Sequence, residues 1–199
     1  AGNIGGGGFL FFIMSKGEVF GLDYREAAPS RANRDMYLDK NGTPITMLSQ
    51  QGQLASGIPG TVAGLFATMP YAKLPFSVLI QPAIDLAEKG FAITEKQANG
   101  VNGEKAIFQK QNTQPIAFVK ETKWKVGDTL IQKELAATLK RIQKDGAKGF
   151  YDGETAKLLV AEMQKGNGII SLDDLKNYTA KLRNPIEFDY RGHHIVSFA

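Results

Sequence analysis

Arg25 is the residue whose type and position most readily do chemistry. It lies in Leu22-Asp23-Tyr24-Arg25-Glu26, just after a stretch that reads as a buried strand. A guanidinium is a rigid fork of N–H donors that fits a carboxylate in bidentate fashion. At a strand end it could grip an acidic substrate. On the residues alone a structural pair with Asp23, Glu26 or another acid is the favoured reading. The run Gly5-Gly6-Gly7-Gly8 is the second candidate. Phosphate loops follow a strand and open a helix, so that N–H groups and the helix dipole meet the anion. Here the glycines precede a strand, and no Gly-Lys-Ser/Thr follows. Two readings remain: another backbone packs too close for side chains, or exposed N–H groups line a small-molecule site.

The two histidines, His193 and His194, are adjacent. On a strand they would face opposite sides, so they are read as a surface histidine beside a partly buried one, with no metal bound. No serine sits in a Gly-x-Ser-x-Gly elbow. Asp173 and Asp174 suit the electrostatics of a helix start better than a catalytic dyad. The absence of cysteine excludes disulfides, thiolate zinc sites and a cysteine nucleophile. None of this makes a complete catalytic set.

The elements that must position these residues follow from the pattern. Residues 9–14 are continuously apolar and read as a strand buried on both faces. Ser15-Lys16-Gly17-Glu18 is turn chemistry, and 19–24 reads as the returning strand. Helices are predicted over 61–69 and 75–89, with Pro75 in the first turn and Gly90 after the last. Pro82 is expected to kink or divide the second. Thr94 before Glu95 caps a shorter helix. Residues 99–128 read as a loop or weak hairpin. Apolar recurrence at Ile131, Leu135, Leu139 and Ile142 predicts a helix over 130–144, and another follows over 153–165. Ser171-Leu172-Asp173-Asp174 approximates a capping box. Two strands close the chain, over 186–190 and 193–198, around Arg191-Gly192. Strands, then helices, then strands favour an α+β fold over a doubly wound one.

The chain has 199 residues with 43% hydrophobic and 22% charged content, which fits a globular domain and excludes a disordered tail. The longest apolar run, of six residues, is far short of the ~20 a spanning helix needs, so no membrane span is expected. The net charge is +4. Residues 104–148 carry ten Lys/Arg against five Asp/Glu. Acids are interleaved and Trp124 is the sole tryptophan, so this stretch reads as a solvated face and not as a nucleic-acid site.

Several segments together resemble the large subunit of gamma-glutamyltransferases. They are Ala1-Gly2-Asn3-Ile4-Gly5-Gly6-Gly7-Gly8-Phe9, Leu22-Asp23-Tyr24-Arg25-Glu26-Ala27-Ala28-Pro29 and Arg34-Asp35-Met36-Tyr37-Leu38. Ala55-Ser56-Gly57-Ile58-Pro59-Gly60-Thr61-Val62-Ala63-Gly64, Gln81-Pro82-Ala83, Gly127-Asp128-Thr129-Leu130, Phe150-Tyr151 and Tyr190-Arg191-Gly192 extend the match in order. The resemblance implies an N-terminal-nucleophile hydrolase, an αββα sandwich only partly represented here, as a helix-rich portion plus the edge of the central sheets. It implies one partial large-subunit domain over 1–199, with a strand hairpin at 9–24, a helical region at 61–178 and terminal strands at 186–198.

The implied activity is that of a self-processing enzyme. It cleaves the gamma-glutamyl amide of glutathione through a threonine acyl-enzyme and passes the glutamyl group to water or an amino acid. Arg25 matches the family arginine that grips the α-carboxylate of the glutamyl group. No cofactor is implied. The partner is the small subunit of the same precursor, which brings the nucleophilic threonine, and the location is periplasmic or secreted. Departures are equally plain. Thr-Thr-His-x-Ser is absent, both ends read as cut, and residues 99–103 look short against the family. The isolated chain is therefore expected to be inactive, with no catalytic residue of its own. The alternatives are a related acylase of the cephalosporin or poly-gamma-glutamate type, or a non-catalytic glutamate-binding or structural module.

Overall fold

A computed structural model describes residues 3–198. The expected 1–199 span and the Ala1-Gly2 start of the glycine motif thus reach outside the described residues, as does Ala199. Strands β1 (Phe9–Ile13) and β2 (Val19–Asp23) form an antiparallel hairpin, in register from Phe9 opposite Asp23 to Ile13 opposite Val19. The chain then passes through α1 (Thr46–Gln50), α2 (Thr61–Thr68) and α3 (Phe76–Lys89). Next come β3 (Phe91–Ala92), α4 (Glu95–Gly103), α5 (Lys105–Gln111) and β4 (Thr129–Leu130). The helical part ends with α6 (Lys133–Asp145), α7 (Lys148–Tyr151), α8 (Glu154–Lys165) and α9 (Leu172–Lys176). Strands β5 (Lys181–Arg183), β6 (Ile186–Tyr190) and β7 (His193–Ser197) follow. β5 adds to β2, giving the sheet order β1-β2-β5, while β6 and β7 make a separate hairpin.

The helices enclose the main core. Ile80, Ile84 and Ala87 on α3 meet Ala136, Leu139 and Ile142 on α6, at the three- and four-residue spacing that keeps them on one face. Phe150, Tyr151, Ala156, Ile170 and Leu175 complete it, with Val62 on α2 and Ile58 just before that helix. Gly149 lets α7 lie on α6: a Cβ there would come within 2.8 Å of the Ile142 nitrogen. A smaller core gathers Ile93, Ala98 and Leu130 under Phe91, Phe118 and Trp124.

Four sequence expectations need correction. Helix α3 is not divided at Pro82 but continues as one helix. An interior proline costs about 3 kcal/mol, and burial of Ile80 and Ile84 on either side, roughly 1.5–3 kcal/mol each, offsets it. Two helices, over 95–103 and 105–111, take up the first part of the 99–128 stretch that reads as a loop or weak hairpin. Helix α4 is held by a full capping box between Thr94 and Gln97, and Asn102 bonds the Trp124 backbone in both directions. Tertiary contacts there override glycine and asparagine, which favour neither helix nor strand. Strand β1 is not buried on both faces: it is the sheet edge, and Ile13 is 77% exposed. Strand β5 went unpredicted because Lys181-Leu182-Arg183 is short and polar, and its pairing with β2 defines it. No helix among the described residues is long and apolar enough to cross a membrane.

Candidate functional site

The stretch Tyr24–Ala27, which carries Arg25, is clamped from several directions. Gly8 and Tyr24 exchange backbone hydrogen bonds of 3.2 and 2.9 Å, extending the β1–β2 ladder. Ala27 and Ile58 do the same, at 3.2 and 2.8 Å. The glycine run makes this possible, since a Cβ on Gly7 would stand 2.8 Å from the Arg25 Cα. Gly6 offers its carbonyl to the N–H groups of Gly60 and Thr61 at the start of α2. Of the two readings of the glycines, close backbone packing is the one observed. The Tyr24 ring lies over Gly64 on α2, where a Cβ would come 2.6 Å from its Cδ1.

Tyr178 closes the clamp. Its hydroxyl donates to the Arg25 carbonyl at 2.7 Å. Burial pushes its pKa up to about 12, so the donor stays protonated. Tyr178 stacks on Tyr151, whose hydroxyl donates to the Pro59 carbonyl at 2.7 Å and accepts from the Ala63 N–H. Asp174 pins the following segment. Its Oδ1 accepts the Ser30 N–H at 2.8 Å, and its Oδ2 accepts from the Ser171 nitrogen and hydroxyl, completing the capping box of α9. Asp174 is thus structural, as the helix-start reading has it.

Asp23 is the electrostatic centre. It is only 9% exposed. Its Oδ1 accepts the Arg25 backbone N–H at 3.1 Å and Nε at 3.0 Å, and its Oδ2 accepts Nη2 at 2.9 Å. Arg183 on β5 donates Nε and Nη2 to the same Oδ2, both at 3.3 Å. The Arg25 side-chain bond is the main cause that holds the Asp23 carboxyl far below the usual range, against its burial. That bond likewise raises the Arg25 guanidinium. Arg183 pairs opposite Gly21 and reaches Asp23 on the diagonal, a geometry that cross-strand neighbours allow. The guanidinium of Arg25 lies 5.5 Å from the centre of the Phe198 ring. Its side chain is half exposed and opens on a cleft of about 850 Å³, which Glu26, Tyr178, Lys181 and Arg183 also line.

The sequence reading singled out Arg25 and missed its neighbours. Asp23 was named only as one possible partner. Arg183 and Lys181 carried one usable signal: Lys-x-Arg alternation puts both on one strand face, but a three-residue polar segment does not announce a strand. The histidines are placed elsewhere, on the β6–β7 hairpin, and both are exposed, which corrects the expectation of a partly buried one. Nδ1 of His194 faces Asp189 at 3.1 Å and Nε2 faces Glu187 at 3.3 Å. Each ring nitrogen has its own carboxylate, so the three do not converge on one point. Among the described residues no such group is arranged to hold a metal.

Comparison with known proteins bears on the family and the fold. The gamma-glutamyltranspeptidase family model matches residues 1–199. The glutathione hydrolase proenzyme of Pseudomonas sp. (strain A14) is 44% identical over 200 residues, covering 99% of this chain and 35% of the relative. The crystal structure of Helicobacter pylori gamma-glutamyltranspeptidase superposes with a TM-score of 0.96 at 44% identity, covering 100% of this chain and 58% of that one. Cephalosporin acylase from Bacillus halodurans, at 24% identity, shares the fold alone: its TM-score is 0.80, over 97% of this chain and 37% of that one. The chain thus spans about a third of the length of the curated relatives it matches. The fold is α+β, the N-terminal-nucleophile hydrolase sandwich in part.

Proposed function

This chain belongs to the gamma-glutamyltranspeptidase family, and from that premise we propose that it supplies the carboxylate-binding arginine of an enzyme that cleaves gamma-glutamyl amides. The substrate is glutathione or a similar gamma-glutamyl compound, and the glutamyl group passes to water or an amino acid. One observation carries the reading: Arg25, in the family's motif, is half exposed and lines a cleft of about 850 Å³, on a backbone bonded to Gly8, Ile58 and Tyr178. A fixed guanidinium binds a carboxylate without first losing side-chain freedom, which keeps the gain from the charge-assisted bonds.

In this reading the chain is a partial large-subunit domain. The nucleophile is an N-terminal threonine of the small subunit of the same precursor, in keeping with relatives named proenzymes. That threonine's hydroxyl attacks the amide carbonyl, its α-amine takes the hydroxyl proton and passes it to the amine that leaves as the C–N bond breaks, and the ester so formed is then cleaved by water or an amino acid, which releases the threonine. Arg25 fixes the glutamyl end so that the amide meets the nucleophile in a single pose. Export to the periplasm or medium belongs to the same proposal. The likeness to cephalosporin acylase is one of fold and does not favour the acylase alternative.

The test uses the protein made from its complete gene. Arg25→Ala should lower kcat/KM for a gamma-glutamyl anilide by roughly 100-fold or more, the scale of a lost charged contact in a site. Arg25→Lys should recover little, because a point charge does not replace the fork. Hydrolysis of a glutaryl amide as readily as the gamma-glutamyl anilide would favour the acylase. Unchanged kinetics in Arg25→Ala would remove the assignment.

A further inference from the structure

The pairing of Arg25 with Asp23 and its binding of a substrate carboxylate look like rival uses of one side chain. The atoms involved say otherwise. A guanidinium has two edges that can each meet a carboxylate, one formed by Nε and Nη2 and the other by Nη1 and Nη2. Asp23 occupies the first edge completely, Oδ1 on Nε and Oδ2 on Nη2. Nη1 donates to no group among the described residues. Resting on the proposed role of Arg25, we propose that Asp23 is a positioning residue for the substrate carboxylate: it holds the Nε edge of Arg25 so that the Nη1–Nη2 edge faces the cleft, and Arg183 anchors Asp23 in turn.

Three observations support this. Asp23 is buried and reaches Arg25 through both the backbone N–H and the side chain, so the guanidinium plane is fixed relative to the strand. The Arg183 fork on Oδ2 ties that carboxylate to β5, a separate strand, which stops it from following Arg25 outward. Phe198, beside the guanidinium, limits its swing.

The proposal separates from a merely structural role by what the substrate carries. In the protein made from its complete gene, two substrates are compared: a gamma-glutamyl anilide and the 4-aminobutyryl anilide, which lacks the α-carboxylate. Asp23→Asn should raise KM for the first by roughly 10–100-fold, the range for loss of charged hydrogen bonds, with kcat changed far less. The ratio of kcat/KM between the two substrates should fall by the same factor. Asp23→Glu should restore part of it. Arg183→Gln should raise KM by a smaller factor, roughly 3–10-fold, with little change in melting temperature because that side chain is nearly half exposed. Should Asp23→Asn not fold, Arg183→Gln carries the test, and an unchanged KM there overturns the proposal. So does tighter binding by Asp23→Asn, which would make Asp23 a competitor of the substrate. If Arg25→Ala abolishes discrimination while Asp23→Asn keeps it, the positioning role falls and the arginine assignment stands. If Arg25→Ala itself changes nothing, the assignment falls first.

Discussion

Ile142 on α6 is 1% exposed, whereas Ile13 at the end of β1 is 77% exposed. The contrast extends across the two regions. The helical body turns Ile84, Ile142, Ile170 and Leu175 inward and closes over them within this chain. The sheet region turns Phe9, Ile13 and Leu182 outward, and the β6–β7 hairpin does the same with Ile186 and Phe188. Apolar burial is the main favourable term in folding, so the helical body provides most of the chain's own stability. The cleft with Arg25 lies where the two regions join. There the fixing groups are polar and come from both sides: Asp23 and Arg183 from the sheet, Tyr178 and Asp174 from the helical side.

The largest effect expected from this contrast is in the helical core. Ile142→Ala should cost about 3–4 kcal/mol of unfolding free energy, the transfer loss plus a cavity that rigid neighbours do not fill. Ile13→Ala should change stability by only about 0.5 kcal/mol or less. Denaturant unfolding of both variants reads the difference. Equal losses would break the comparison, because Ile13 would then have to be covered in the complete protein. The next effect tests the junction. A side chain on Gly60 would press against the Tyr24 carbonyl and come 2.8 Å from Tyr178 Cζ. Gly60→Ala should therefore cost about 1–3 kcal/mol as overpacking. It should also raise KM for a gamma-glutamyl substrate, since Tyr178 would be pushed off the Arg25 carbonyl. A drop in stability with unchanged KM would uncouple Tyr178 from the site.

The same division explains how much the sequence made legible. Helices α6 and α8 were readable because their apolar residues repeat at helical spacing, and their share of the core follows directly. The α9 cap was readable from Ser171 and Asp174, three residues apart. What escaped depends on long-range pairing. Strand β5 exists because it pairs with β2, some 160 positions away in sequence, and nothing local in Lys181-Leu182-Arg183 requires a strand. Helix α5 was hidden because its apolar residues Ala106, Ile107 and Phe108 are consecutive among lysines and glutamines and give no periodicity. Strand β1 was readable as a strand but not as an edge, since apolar content reports what a segment can bury and not what is there to bury it. For the site, Arg25 stood out by chemistry and by motif. The division of its two edges was invisible, because it depends on where the Asp23 oxygens lie.

Two titrations sharpen the comparison at its polar seams. Asp174 is buried, which pushes its carboxyl up, but the N–H of Ser30 and the groups of Ser171 outweigh this and hold it below the usual range. A depressed folded value means stabilisation that is complete above the unfolded value of about 3.9 and is lost as pH falls through the folded value. Asp174→Asn should cost about 1–2 kcal/mol at neutral pH. It should also flatten the acid limb of the melting curve, and an acid limb as steep as in the wild type would place that sensitivity in other carboxylates.

The smallest effect belongs to the hairpin, and its sign is opposite. The Asp189 bond first, and then that of Glu187, raise the His194 pKa. A raised folded value gives stabilisation that is fully present below the unfolded value of about 6.5 and is lost as pH rises through the folded value. His194 and its two carboxylates are solvated, so screening keeps the contribution small and salt-sensitive. Comparing wild type with His194→Gln by melting temperature across the range from acid to alkaline pH isolates it. The wild type should lead at pH below 6.5, and the gap should close on the alkaline side and shrink in high salt. A gap that widens as pH rises would mean that His194 acts in its neutral form, by packing against the strand. The exposed hairpin would then resemble the helical body more than the difference between Ile13 and Ile142 implies.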